Sequence, residues 1–185
     1  MRVLMTNWVY MPEFSGAALQ SHRLAKELRQ LGVHVQMLTG THENSLVGID
    51  RIDDVIVHRK LRNVSTLSGR LRYWWDLDRF IQKNRKRIDL VHTHGFHPRV
   101  NLAAKRAGLP LVTKITNQTV DDPIAVMSRR GGSLKYKIYN QAEAVISTSK
   151  VLEDLCLSAD LPKEKIIRIP NGVDTDSFYP ADEQE

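Results

Sequence analysis

A single cysteine, Cys156, leaves the chain with no intrachain disulfide framework and no cysteine-based zinc site, which fits a reducing compartment. Its place in a helical stretch reads as a small buried apolar residue. No run of about eighteen or more apolar residues occurs, so no segment is expected to cross a bilayer. The opening Met1-Arg2-Val3-Leu4-Met5-Thr6 is too short an apolar run for a signal peptide, and Asn7 ends it. These absences point to a cytoplasmic protein, in which the triplets Asn63-Val64-Ser65 and Asn117-Gln118-Thr119 carry no weight as glycosylation acceptors. Internal repeats and low-complexity tracts are missing too. So are helix-turn-helix, zinc-finger and aromatic-basic ribonucleoprotein patterns, and no nucleic acid is expected as a partner.

What is present is an excess of positive charge on a chain long enough to bury one core. In 185 residues, 27 Lys and Arg face 21 Asp and Glu, a net charge of +6 that favours an anionic partner. Short β-branched or apolar runs at 2–6, 33–39, 55–60, 90–94, 111–116, 144–148 and 166–169 read as strands. Stretches of helical period separate most of them. The first helix starts near Gly16, carries Leu24, Leu28 and Leu31 on one face and stops at Gly32. Leu67, Leu71, Trp74 and Ile81 are expected to form the buried stripe of a second helix, and further helices are expected at 99–107, 134–142 and 150–158. This alternation predicts an α/β fold: a Rossmann-like open, mostly parallel sheet with helices on both faces. Residues 1–170 read as that domain and residues 171–185 as a linker.

Ligands of such sheets lie beyond the carboxyl ends of the strands. Gly16 either lets a phosphate approach the first N–H groups of a helix or simply permits a tight strand-to-helix turn. On 90–94, period two puts His92 and His94 on one side. His94, at the carboxyl end, could donate to a ligand hydroxyl, whereas His92, one pleat deeper, reads as a hydrogen-bonded core residue. His92, His94 and His97 lack a carboxylate in register, so no metal site is expected. Lys114, Thr116, Asn117 and Gln118 end the strand at 111–116 and open the aperiodic segment 117–133, where they either read ligand hydroxyls or phosphate or are solvated. Arg129 and Arg130, beside Gly131-Gly132, either hold an anionic ligand or are solvated. On the second helix Arg72, Arg79, Lys83 and Lys86 form a basic stripe bordered by Tyr73 and Phe80, suited to anionic lipid headgroups or to plain solvation.

Three signatures in order along the chain resemble the N-terminal domain of the retaining GT-B glycosyltransferases of family 4. They are the loop Tyr10-Met11-Pro12-Glu13-Phe14-Ser15-Gly16-Ala17-Ala18, the strand Asp89-Leu90-Val91-His92-Thr93-His94-Gly95, and Val145-Ile146-Ser147-Thr148-Ser149 followed by the run from Ile169-Pro170-Asn171-Gly172-Val173-Asp174 to Thr175-Asp176-Ser177-Phe178-Tyr179-Pro180. The resemblance implies one half of a GT-B fold. It implies transfer of a hexose, with retention, from a nucleotide sugar acting as co-substrate, with no cofactor, to a sugar or lipid-linked acceptor. The Ser15-Gly16 loop would touch the donor diphosphate and His94 the transferred sugar. Ser15 replaces the first glycine of that loop, and the family's glutamate pair seven residues apart, which grips the donor from a second domain, has no counterpart. The expectation is therefore a segment inactive alone. It is either part of a longer enzyme or the acceptor-binding or membrane-anchoring subunit of a split one, peripheral at the inner membrane face.

Overall fold

The computed structural model describes residues 1–63, 65–173 and 175. Its strands are β1 (Arg2–Asn7), β2 (His34–Thr41), β3 (Gly48–Ile52), β4 (Val55–Leu61), β5 (Leu90–His94), β6 (Leu111–Lys114), β7 (Ala144–Ser147) and β8 (Ile166–Arg168). The helices are α1 (Gly16–Gln30), α2 (Leu67–Asn84), α3 (Pro98–Ala107), α4 (Pro123–Met127), α5 (Gly132–Tyr139) and α6 (Lys150–Ser158). The strands form one sheet in the order β3-β4-β2-β1-β5-β6-β7-β8. Every pairing is parallel except β3 on β4, as the α/β reading requires.

Strand order and crossover hand together decide how the faces are covered. The step from β1 to β2 runs one way across the sheet, and the later steps from β4 onward run the other way. Because such connections are right-handed, opposite directions send their helices to opposite faces. Accordingly α1 packs on Val3, Met5, Val35, Met37, Val55 and Val57. The other helices cover Leu4, Leu38, Val91, Leu111 and Val145 on the reverse side. Among the described residues one face carries α1 alone; the other is crowded. Cys156 of α6 is buried on the crowded face, which pushes its thiol up to about 12.

Side-chain caps start the helices where the sequence offers them. Ser15 Oγ accepts from Ala18 N at 3.0 Å, Thr66 Oγ1 from Gly69 N at 3.1 Å and Ser149 Oγ from Leu152 N at 3.3 Å. Gly32, at φ 78°, stops α1 in the left-handed region as expected.

Four expectations need correction. The strand β3 was not anticipated: its residues Gly-Ile-Asp-Arg-Ile are exposed up to the last, so the edge strand carries no apolar alternation. The segment 117–133, read as aperiodic, contains α4, started by Asp122 Oδ1 accepting from Ala125 N at 2.9 Å with Pro123 in the first turn. On α2 the buried residues are Tyr73, Leu77 and Ile81, while Leu67 and Leu71 are 63% and 51% exposed because the first turns lie outside the core. Leu31, expected beside Leu24 and Leu28, is the exposed C-cap of α1. Apart from Thr175, residues 174–185 of the expected linker lie outside the described residues.

Candidate functional site

The carboxyl ends of β1 and β5 and the N-terminus of α1 meet at one edge of the sheet. The segment between β1 and α1 is anchored there from two directions. The Tyr10 hydroxyl, fully buried, donates to His22 Nδ1 at 2.7 Å, leaving Nε2–H of that imidazole to donate to Asp53 Oδ2 at 3.0 Å. Arg59, 1% exposed, donates from Nη1 to Asp50 Oδ2 at 2.9 Å and from Nη2 to the Met11 carbonyl. Both anchors lead back to the β3–β4 hairpin, whose turn residues Asp53 and Asp54 have φ of 43° and 64°. This support was missed in the sequence because its members stand up to 48 residues apart.

The anchored segment delivers Ser15 and Gly16. Ser15 Oγ is engaged in the cap. Gly16 has no left-handed φ, and a Cβ built on it meets nothing within 4 Å. The tight-turn reading of Gly16 is therefore overturned, since the fold itself does not require glycine there. What glycine leaves is open approach to the first N–H groups of a fifteen-residue helix with no acidic residue in its first turn.

His92 and His94 share one side of β5, their ring centroids 4.6 Å apart, and the register sets His94 beside Lys114 on β6. Their burial differs from expectation. His94 is 1% exposed and neither ring nitrogen has a partner. His92 is not a hydrogen-bonded core residue: its Nε2 is unpartnered and its side chain borders a cleft of about 900 Å³ along α1. Burial, with help from the Lys114 charge, lowers the His92 pKa to about 4. Burial first, then His92 and Lys114, holds His94 well below the usual imidazole value, and burial lowers Lys114 as well. His97 belongs to another cluster, stacked on Trp8 at 3.9 Å between centroids, with its pKa lowered to about 3 by burial and then by Arg62. Among the described residues no group of three or more His, Cys, Asp or Glu could hold a metal ion.

A sequence model of the glycosyl transferase 4-like domain matches residues 15–172, nearly the whole chain. The chain belongs to that family. No curated protein matches the sequence. Solved structures similar to this glycosyl transferase 4-like domain include HepE of Anabaena in complex with UDP-glucose, at 17% identity and a TM-score of 0.64, covering 95% of this chain and 45% of that one. Sucrose-phosphate synthase of Thermosynechococcus elongatus is similar at 17% identity and a TM-score of 0.67, covering 97% and 50%. UDP-GlcNAc 2-epimerase of Methanocaldococcus jannaschii is similar at 9% identity and a TM-score of 0.65, covering 92% and 46%. At these identities the likeness establishes the fold. This chain spans about half the length of each.

The other residues singled out in this glycosyl transferase 4-like domain are distributed unevenly. Thr116 donates to Asp121 Oδ2. Asp121, buried and with its pKa raised by that burial, also accepts from the backbone of Phe96 and Thr116. A Cβ on Gly95, at φ 84°, would come within 3.0 Å of the Asp121 carboxylate, so this acid holds the turn that ends β5. Asp121 was not singled out beforehand, since only the folded turn brings it under residue 95. Asn117 Oδ1 accepts from Thr119 N at 3.0 Å, and Gln118 is exposed. Arg129 donates to the Thr119 carbonyl at 2.9 Å and so braces its loop, while Arg130 is exposed.

On α2, Arg72, Arg79 and Lys83 are exposed; Lys86, also exposed, stands in the short 3-10 turn beyond it. Tyr73 does not border this stripe, being buried against the sheet. Its exposed aromatic is Trp75, at 55%, with the Arg79 guanidinium 4.7 Å from its ring centre. Among the described residues no helix is long and apolar enough to cross a membrane.

Proposed function

We propose that this domain is the acceptor-side half of a two-domain family 4 GT-B glycosyltransferase, acting in the transfer of a hexose from a nucleotide sugar to an acceptor hydroxyl with retention of configuration. The observation that carries the reading is Gly16: a glycine the fold does not need, at the free N-terminus of α1, in a family of glycosyl transferase domains. The N–H groups and dipole of that helix would receive the charge that grows on the leaving diphosphate. His94, with two unpartnered ring nitrogens at the same edge, would meet the transferred sugar once its cover parts. Lys114 and the polar loop that follows it, Thr116 to Gln118, would face the acceptor. Residues 1–170 form the domain in this reading and 171–185 lead to the half that grips the donor, so the 185-residue chain alone turns nothing over.

A second reading, a cytoplasmic protein held peripherally at an anionic membrane face, is favoured by one specific observation. Leu67, Leu71 and Trp75, spaced four residues apart and all more than half exposed, continue into exposed Arg79 and Lys83 along α2. This apolar line with a basic end suits an interfacial helix. It fits both a membrane-bound enzyme and a non-catalytic anchoring subunit.

The test is a panel of nucleotide sugars and acceptors incubated with the complete polypeptide and with residues 1–185, the product anomer being read by NMR. Transfer with retention by the former only is expected. Transfer by residues 1–185 alone, or inversion, would contradict the reading.

A further inference from the structure

Parallel strands ordinarily have both faces covered. Here α1 lies over the β2-β1 side of its face, and beyond it the sheet floor is left to the cleft. That floor is made of Val3, Leu90, Val112 and Ile146; α1 lines one side, and Ile169, Pro170 and Val173 also border the space. The lining is mainly aliphatic. Toward the carboxyl ends of the strands it changes character, for His92 and Lys114 enter it from neighbouring strands.

These two side chains are the anomaly of the cleft. His92 is 7% exposed with Nε2 unpartnered, and Lys114 is 9% exposed with no carboxylate hydrogen-bonded or ion-paired to it among the described residues. Neighbouring His94 adds two more unpartnered nitrogens to the same cluster. The carboxylates that do border the cleft stand elsewhere: Asp53 is paired with His22 and Lys26, and Glu27 sits near the end of α1, toward the amino ends of the strands. A lysine side chain this deeply buried without a counter-charge is costly, and beside an unpartnered imidazole it marks a place where an anionic ligand would be stabilised.

We propose that this cleft binds an anionic amphiphile, with its phosphate or carboxylate head on Lys114 and His92 and its aliphatic body along Val3, Leu24, Leu90, Val112 and Ile146. The head would lie at the same sheet edge as Gly16. Charge selects the head, because Lys114 is a point cation with three donors and His92 Nε2 supplies one more. Shape and polarity select the body, because a free anion would leave the aliphatic floor wet.

The test uses octyl phosphate, octanoate, inorganic phosphate and octyl glucoside as probes, all below micelle-forming concentrations, with affinities measured by calorimetric titration on the 185-residue chain. Octyl phosphate or octanoate should bind at least about tenfold tighter than inorganic phosphate or octyl glucoside, and whichever of the two is tighter identifies the head. Lys114→Met should weaken that binding at least about tenfold and, in the absence of any probe, raise the melting temperature, because the isosteric thioether relieves a buried unpaired charge. His92→Gln should weaken it less and leave the protein folded. Equal binding of octyl glucoside, equal binding of inorganic phosphate, or affinity unchanged by Lys114→Met would each overturn the proposal. So would a Lys114→Met protein that melts lower or fails to fold, since the ammonium would then be serving the fold.

Discussion

Two adjacent residues of β5 paired to two adjacent residues of β6 show how differently neighbouring positions of this sheet treat polar groups. On the crowded face, Thr93 Oγ1 donates to Thr113 Oγ1 at 3.1 Å and Asn101 of α3 donates to the same oxygen at 3.3 Å. One residue further along, on the α1 face, His94 stands beside Lys114 with neither ring nitrogen partnered. The strand pairing is the same, and the two pairs of side chains point to opposite faces. The crowded face is not satisfied throughout, for the Tyr73 and Tyr139 hydroxyls and Asn101 Oδ1 have no partner among the described residues. On the α1 face Asn7 and Tyr10 are hydrogen-bonded, whereas the imidazoles of His92 and His94 remain unpartnered at the edge where the loops converge, and the cost of burying them falls on folding.

The comparison breaks most visibly on the crowded face. Leu77→Ala removes a fully buried side chain of α2 and should cost about 2–5 kcal/mol in chemical denaturation, with binding of octyl phosphate unaltered per folded molecule. A loss below about 1 kcal/mol would show that this face is less tightly packed than the burial implies.

Acid should single out the other face. An imidazole whose folded pKa lies below its unfolded value binds fewer protons folded than unfolded in the interval between the two. Stability is then complete above about pH 6.5 and declines as the pH falls toward the folded value. For His92, the descent from 6.5 to about 4 amounts to about 3 kcal/mol, and buried His94 and His97 act in the same direction. His92→Gln should visibly flatten the stability curve between pH 6.5 and 4. An unchanged slope would mean that His92 is not held neutral by the fold.

Smaller effects sharpen the contrast. Ser15→Ala removes the cap of α1 and should cost about 1 kcal/mol, read from the denaturation midpoint. The double change Arg79→Glu and Lys83→Glu should leave the melting temperature in place while reducing co-sedimentation with anionic vesicles, an effect that added salt reproduces. Vesicle binding indifferent to both would return α2 to an ordinary solvated helix.

The parallel strands were legible because their burial on both faces leaves compact β-branched and apolar runs, as in Val55–Leu61 and Leu90–His94. The start and stop of α1 were legible because Gly16 and Gly32 act locally, whereas the cap by Ser15 Oγ was not anticipated. The hairpin strand β3 was not, since an exposed edge strand of Gly-Ile-Asp-Arg-Ile has no face to advertise. For the site, the strand and side on which His92 and His94 lie followed from period two. Which of them would be sealed and which would border a cleft depended on α1 and the loops packed around them, and no local pattern encodes that. The Tyr10, His22 and Asp53 chain and the Asp121 support of Gly95 were invisible for the same reason: each is assembled by tertiary contact.

The most direct test of the working face is turnover by the complete polypeptide carrying either of two changes on one strand, Thr93→Val or His94→Ala, with its nucleotide-sugar donor. On this account Thr93→Val lowers the melting temperature and leaves kcat unchanged. His94→Ala shifts melting by a few degrees at most and lowers kcat and kcat/KM together by roughly 10- to 1000-fold, equivalent to about 1.4 to 4 kcal/mol. Wild-type turnover by the His94→Ala enzyme, or a loss of turnover confined to Thr93→Val, would contradict it.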